Sequence, residues 1–302
     1  MTHHAHGLDR TRSTRALASV IALTAVYAVV EIVGGVLTGS LALLADAGHM
    51  VGDVAALTLA LFAGWLAGRP ATLQRSFGYQ RAEILAALAN GIALVAIAVW
   101  IFIEALQRLA DPPDVLAGWV LVVALVGLAV NLAAALILAG ERVQSLNVTA
   151  ALRHVLADLA STAGVICAAL VVLATGWRQA DAVAGIVIGV LVLASTWSIL
   201  RDSLSILLEA APAGIDAGEV GRSMAAAEGV VEVHDLHIWT ITSGFPALSA
   251  HVLVRGGDDC HARRRELEEM LARDFGLRHT TLQVDHVGER RGLQITRLRR
   301  QP

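Results

Sequence analysis

Residues 41–66 read LALLADAGHMVGDVAALTLALFAGWL, an apolar stretch that carries His49 and Asp53 near its middle. A hydrocarbon core of about 30 Å takes about 20 helical residues, so this stretch is long enough to cross a bilayer. In a helix, residues four apart share one face, which stacks His49 and Asp53 one turn apart. A carboxylate at mid-membrane costs about 2.5–3.5 kcal/mol even on the lenient insertion scale, so something must neutralise it. The same spacing recurs at His154 and Asp158, inside the apolar stretch Gln144–Thr175.

Composition agrees with a membrane protein. The 302 residues have a mean hydropathy of +0.65, with 56% hydrophobic and only 16% charged residues, against roughly a quarter charged in soluble domains. A net charge of −3 argues against nucleic acid as a partner. All 23 basic residues are arginine, which excludes a P-loop and, for this chain alone, an ATP-driven pump. Cys167 and Cys260 lie in unlike settings, one apolar and one polar, and suggest no disulfide framework. The polar, basic N-terminus lacks the apolar core of a signal peptide.

Working outward, six apolar segments emerge: Ala16–Leu37, Leu41–Leu66, Ala82–Leu109, Val115–Ala139, Gln144–Thr175 and Ala182–Leu208. Turn signals such as Thr38-Gly39-Ser40 and Asp111-Pro112-Pro113-Asp114 separate them. Six spans put both termini on one side. Arg10, Arg12, Arg15, Arg69, Arg75, Arg81, Arg142 and Arg201 fall on that side, against Arg108 and Arg178 opposite. The positive-inside rule then places both termini in the cytoplasm of a multi-pass plasma (inner) membrane protein.

After Leu208 the pattern changes to that of a small α/β domain. A helix over Ile215–Ala227, strands over Val230–Thr242 and Ala247–Arg255, a helix over Asp258–Phe275 and a strand over Thr280–Val287 are predicted. The expected fold is mainly α, a six-helix transmembrane bundle followed by a cytosolic α-β-β-α-β domain. Its expected divisions are an N-terminal tail (1–15), the bundle (16–208), the cytosolic domain (209–290) and an Arg-rich tail (291–302).

Two His-x-x-x-Asp faces on opposite-running helices offer two imidazoles and two carboxylates, a set suited to tetrahedral Zn2+. At 1.5 Å per residue, His49 and Asp53 lie roughly 12 and 18 Å below the outer face, and His154 and Asp158 roughly 15 and 21 Å above the inner face. All four straddle the midplane, where transporters hold their substrates. One divalent cation neutralises both carboxylates, and protons on the histidines replace it when it leaves. A site that alternates metal and protons between two sides is an antiporter. The structural alternative is a hydrogen-bonded couple tying each helix turn. Asp46, three residues before His49, is read as accessory. Glu31 and Asn131 line the cavity or bond between helices. Arg153 is placed at an inner vestibule. Gly35-x-x-x-Gly39 and Gly185-x-x-x-Gly189 permit close helix contact.

The runs Ala45-Asp46-Ala47-Gly48-His49-Met50-Val51-Gly52-Asp53 and Ser76-Phe77-Gly78-Tyr79-Gln80-Arg81-Ala82-Glu83, with His154-x-x-x-Asp158 and Val233-His234-Asp235-Leu236-His237-Ile238-Trp239, resemble the cation diffusion facilitator family. The resemblance covers residues 15–287 and implies a homodimeric Zn2+/H+ antiporter whose transport ligands are His49, Asp53, His154 and Asp158. Histidine at the first position goes with zinc over cadmium in that family, although softness alone admits other divalent ions. It also implies a cytosolic metal site at His234, His251, His261 and Asp285, and a charge pair between Arg81 and Glu209 at the dimer base. Gln283 stands where some members have histidine, so one ion or an incomplete site is expected there, with His237, Cys260, His279 and His286 as nearby substitutes. The other reading of these histidines is a surface that binds nothing. The loop Leu66–Arg81 and the short connection Gly140–Gln144 lack the histidines some members carry, and His3, His4 and His6 are read as part of the tail.

Two other classes fit the sequence less well. An intramembrane zinc hydrolase also needs histidine and aspartate within helices, but no His-Glu-x-x-His or nucleophile elbow is present, and four protein ligands leave no corner for water. A membrane-anchored metal sensor would not need ligands at the midplane.

Overall fold

The structure is a computed structural model and describes residues 5–139 and 146–288. His3, His4, the connection Gly140–Gln144 and the Arg-rich tail lie outside the described residues. Six long helices come first: α1 (Ala5–Thr38), α2 (Leu41–Ala67), α3 (Ala82–Ala110), α4 (Ala117–Ala139), α5 (Leu146–Thr175) and α6 (Gln179–Leu207). All six include a window long and apolar enough to cross a membrane. Helix α1 starts well before Ala16, because Leu8 to Ala16 contain no glycine or proline to stop it. Helix α6 starts before Ala182 and so includes Asp181.

The described residues form two compact units, divided at 66/67, 84/85 and 201/202. In the helical unit, the core joins Leu41 and Leu43 of α2, Leu94 and Ile101 of α3, Ala124 of α4, Val165 of α5 and Ile188 of α6. Many large apolar side chains instead point outward, Leu61, Trp119 and Trp197 among them, as a bundle surrounded by lipid requires. Glycine lets some helices approach closely. A Cβ at Gly127 of α4 would sit 2.0 Å from the Tyr27 Oη on α1, so that tyrosine fits only against a residue without a side chain.

The start of α2 is pinned. Ser40 caps it by accepting from Leu43 N at 3.1 Å. Asp181, in the first turn of α6, accepts from Ser40 Oγ at 2.5 Å and from Leu41 N at 2.6 Å. One buried carboxylate thus serves the positive ends of two helices. Arg108 of α3 stands 4.0 Å from Asp181 and donates to Gly39 O at 2.5 Å.

The second unit contains α7 (Ala217–Ala225), β1 (Val230–Thr242), β2 (Phe245–Val254), α8 (Cys260–Asp274) and β3 (His279–His286). The sheet order is β1-β2-β3, with β1 and β2 antiparallel and β2 and β3 parallel. Helix α8 is the crossover that a parallel pair needs. Val220, Met224, Leu267 and Leu271 of the two helices cover Leu248, Ala250, Val252 and Val254, the inward half of the β2 alternation. His251 therefore stands on the opposite face. The turn is tighter than the predicted Ser243–Pro246, since Thr242 already pairs with Phe245 across Ser243-Gly244. Gly244 supplies the positive φ of 74° that a two-residue hairpin requires.

Asp181→Ala is expected to leave Ser40 Oγ and Leu41 N at the start of α2 without their acceptor, while Arg108 keeps Glu104 at 2.9 Å. That costs about 2–4 kcal/mol, against about 1 kcal/mol for Ser40→Ala. Thermal inactivation of the detergent-purified protein, followed by size-exclusion chromatography, measures both. Equal midpoints for wild type and Asp181→Ala would refute the clamp.

Candidate metal centre

Helices α2 and α5 bring His49, Asp53, His154 and Asp158 together, with one ligand atom of each within 4.8 Å of the others. His49 Nε2 lies 3.7 Å from Asp53 Oδ2 and 3.6 Å from Asp158 Oδ1. His154 Nε2 lies 3.1 Å from Asp53 Oδ2 and 3.8 Å from Asp158 Oδ2. Ligands about 2.0–2.1 Å from a tetrahedral Zn2+ stand roughly 3.3 Å apart, so all four His–Asp edges are close to that size. The two imidazoles meet edge to face, with centroids 5.8 Å apart. Asp158 Oδ1 is buried and receives no hydrogen bond. A carboxylate oxygen in that state calls for a cation or a proton.

Exposure is graded across the site. The Asp158 side chain is 6% exposed and His49 15%, but His154 is 45% exposed. A cavity of about 480 Å³ reaches Asp53, His154 and Asp158, lined also by Val20, Ile21 and Thr24 of α1 and by Leu57 and Ala60 of α2. These residues lead from the site towards the N-terminal half of α1, the end of the bundle that carries the N-terminus. On the other side stands a closed polar layer. Asp46 is buried and accepts from Ser161 Oγ at 2.5 Å and Thr162 Oγ1 at 3.2 Å. Asn131 Nδ2 donates to Thr162 at 3.3 Å, which makes it a bond between helices. Glu31 is buried beside Tyr27 Oη at 3.1 Å. Ser161 and Thr162 were not singled out in the sequence, though they follow Asp158 by three and four residues on one helix face.

In the second unit, His234 and His251 are partners across β1 and β2, with ring centroids 5.0 Å apart. Asp235 joins them in a second three-residue cluster. Alternation would send Asp235 to the other face, but the register shifts after His234 and Asp235 takes a φ of +50°. Such a bulge re-aims a side chain. Of the four expected ligands here, the structure joins His234 and His251 only. His261 lies on α8 and Asp285 on β3, both outside the cluster. Asp285 instead accepts from Gln283 at 2.9 Å, and Gln283 pairs with His251 across the sheet. Beside His261, Asp259 caps α8, and the N–H groups of Ala262 and His261 hold its carboxyl below the usual range. Arg81 and Glu209 do pair, at 3.1 Å.

A bundle of membrane-length helices enclosing four side chains that could share one cation points to the class of metal-handling membrane proteins. Residues 17–208 match the cation efflux transmembrane domain and residues 212–287 the cation efflux protein cytoplasmic domain. This chain belongs to the cation efflux, or cation diffusion facilitator, family of membrane transporters. It is 41% identical to the metal cation efflux system protein CzcD of Cupriavidus metallidurans, over 90% of this chain and 86% of that one. It is 40% identical to the cadmium, cobalt and zinc/H(+)-K(+) antiporter of Bacillus subtilis, over 89% and 88%. It is 39% identical to the zinc transporter ZitB of Escherichia coli, over 94% and 91%. The solved metal-bound C-terminal domain of the CzcD transporter is 38% identical, covering 23% of this chain and 97% of that one, with a TM-score of 0.23.

The His234→Ala/His251→Ala variant is expected to bind about one fewer Zn2+ per chain than wild type while keeping the intramembrane ion. Zinc titration of the purified full chain against a chelating dye reads this. Unchanged stoichiometry would show that the cytosolic cluster is not a site.

Proposed function

We propose that this chain exports Zn2+-type divalent cations from the cytoplasm in exchange for protons, with His49, Asp53, His154 and Asp158 as the transport site. The observation that carries the reading is the cage itself, four mutually supporting ligands of tetrahedral size between two membrane-length helices. Neutral histidines and charged aspartates accept the ion, and acidification returns protons to the same atoms. The names of the relatives support zinc, cadmium or cobalt as cargo and, for the Bacillus protein, a proton counterflow. Zinc is the leading cargo, since two imidazoles and two carboxylates suit its tetrahedral preference. The cytoplasmic placement of both termini, in a plasma (inner) membrane, rests on the arginine asymmetry. A hydrolase is not favoured, because its relatives are named as transporters and the four corners are protein ligands.

The protein acts as a homodimer on this reading, with Arg81–Glu209 at its base. Metal at the cytosolic domain, through His234 and His251 with Asp235 and, across the assembled dimer, His261 and Asp285, draws the two domains together and favours transport.

In proteoliposomes loaded with a metal dye and a pH dye, wild type should move Zn2+ against protons. Asp53→Ala and Asp158→Ala should each lose more than about 100-fold of that flux, since even outer-shell changes cost 10–100-fold. Equal flux in the variants would end the reading. Joint replacement of His234, His251, His261 and Asp285 should flatten the zinc dependence of the rate, and an unchanged dependence would refute the regulatory role.

A further inference from the structure

Among the described residues, hydrogen bonds between helices sort the bundle into two groups. Tyr27 Oη of α1 reaches Val123 O of α4 at 3.1 Å, and Asn131 of α4 donates to Thr162 Oγ1 of α5 at 3.3 Å, which joins α1, α4 and α5. Asp181 of α6 accepts from Ser40 and Leu41 at the start of α2, and Arg108 of α3 stands beside it, which joins α2, α3 and α6. On the side of the cage away from the cavity, two bonds run between the groups to one carboxylate. Ser161 Oγ of α5 donates to Asp46 Oδ1 of α2 at 2.5 Å, and Thr162 Oγ1 donates to Asp46 Oδ2 at 3.2 Å. All three residues are buried. Behind Ser161, a cavity of about 260 Å³ lies between α5 and α6, lined by Gly164 and Ala168 on one helix and by Ala180 and Ala184 on the other. A Cβ at Gly164 would meet nothing within 4 Å, so α5 has space beside it where the two groups adjoin.

We propose that Asp46, Ser161 and Thr162 form the gate that closes the far side of the cage, and that the two helix groups part by exchanging these bonds for bonds to water. The proposal rests on the transport reading above, in which the ion leaves on the side opposite to its entry. The chemistry suits a joint that must open and reclose. Water replaces a neutral hydroxyl at little cost, because a water-mediated bond is nearly as good as a direct one. An arginine in the same place would lock the joint, since parting a buried ion pair strands its charges. Position suits the role too. Asp46 precedes His49 by three residues on α2, and Ser161 and Thr162 follow Asp158 by three and four on α5. Parting α2 from α5 at the gate therefore stretches the 3.6 Å edge between His49 and Asp158. The cage loosens as the far side opens, and the bared carboxylate of Asp46 faces the departing cation. Groups of helices rocking about a central site is the motion such transport requires. The three gate residues position the helices and are not ligands of the cage.

Asn131→Cys puts a thiol beside the gate at a position only 1% exposed. In the metal-free, detergent-purified full chain, a small methanethiosulfonate reagent reaches that thiol when the far side opens. Adding Ser161→Ala should speed its modification at least about tenfold, the factor by which losing one hydrogen bond to a charged group shifts an equilibrium. The same change should not speed modification of Thr24→Cys, which lines the cavity on the near side, because a form open on one side is closed on the other. Peptide mass tells the introduced thiols from Cys167 and Cys260. An unchanged rate at Asn131→Cys would overturn the gate. Faster modification of both thiols would overturn it as well, since that marks a loosened fold. Thr162→Val removes the other donor and should act in the same direction, so it serves as the test should Ser161→Ala not fold. Zinc flux into proteoliposomes separates the two readings. No flux in wild type ends the transport reading and this proposal with it, whereas flux in wild type with unaltered access in Ser161→Ala removes the gate alone.

Discussion

Charge neutrality inside an apolar bundle is the constraint on which this architecture depends. Asp53 and Asp158 stand between helices whose outer faces are apolar, where isolated anions are expensive. Every state of the molecule must therefore supply compensating positive charge, as metal or as protons. The same demand explains why Asp46 is wrapped by hydroxyls of α5, since a buried carboxylate with its lone pairs satisfied is far cheaper than a bare one. On the proposed reading, one divalent ion balances the two cage aspartates.

Geometry has to be held as tightly as charge. The cross-helix edges of 3.6 Å (His49–Asp158) and 3.1 Å (Asp53–His154) between α2 and α5 leave little freedom for one helix to slide, because a one-residue shift moves a ligand by about 1.5 Å. The Ser40–Asp181–Arg108 cluster fixes the height of α2 from its first turn. Gly127 admits Tyr27 and so fixes α1 against α4, which places Glu31 one turn further along α1. The polar layer and the cage are positioned by the same few packed contacts.

The six spans and the cage were legible from the sequence because hydropathy and the four-residue spacing report on a single helix each, and two such pairs at one depth leave few partners. Asp181 was hidden because a turn boundary and a buried helix cap look alike without the neighbouring helix. Ser161 and Thr162 are common in membrane helices, and only the approach of α2 gives them an acceptor. Asp235 was obscured for a different reason: strict alternation sends it away from His234, and the bulge that reverses this depends on the pairing with β2. His261 and Asp285 share a domain with His234, but domain membership does not set distance. The Gln283–Asp285 bond shows a carboxylate with a local partner of its own.

The two candidate metal clusters differ in burial and in number of ligands. The cage has four ligands, and Asp158, its most buried member, is 6% exposed, so electrostatic attraction there acts in a low dielectric and is strong. The His234–Asp235–His251 group has three, on a half-exposed sheet face with Asp235 open to solvent. Water screens its one carboxylate and competes for the ion. A three-ligand surface group holds metal loosely, and a fourth ligand from elsewhere would tighten it sharply. On the reading proposed above, that difference lets the cytosolic cluster respond to metal supply while the cage commits each captured ion to transport.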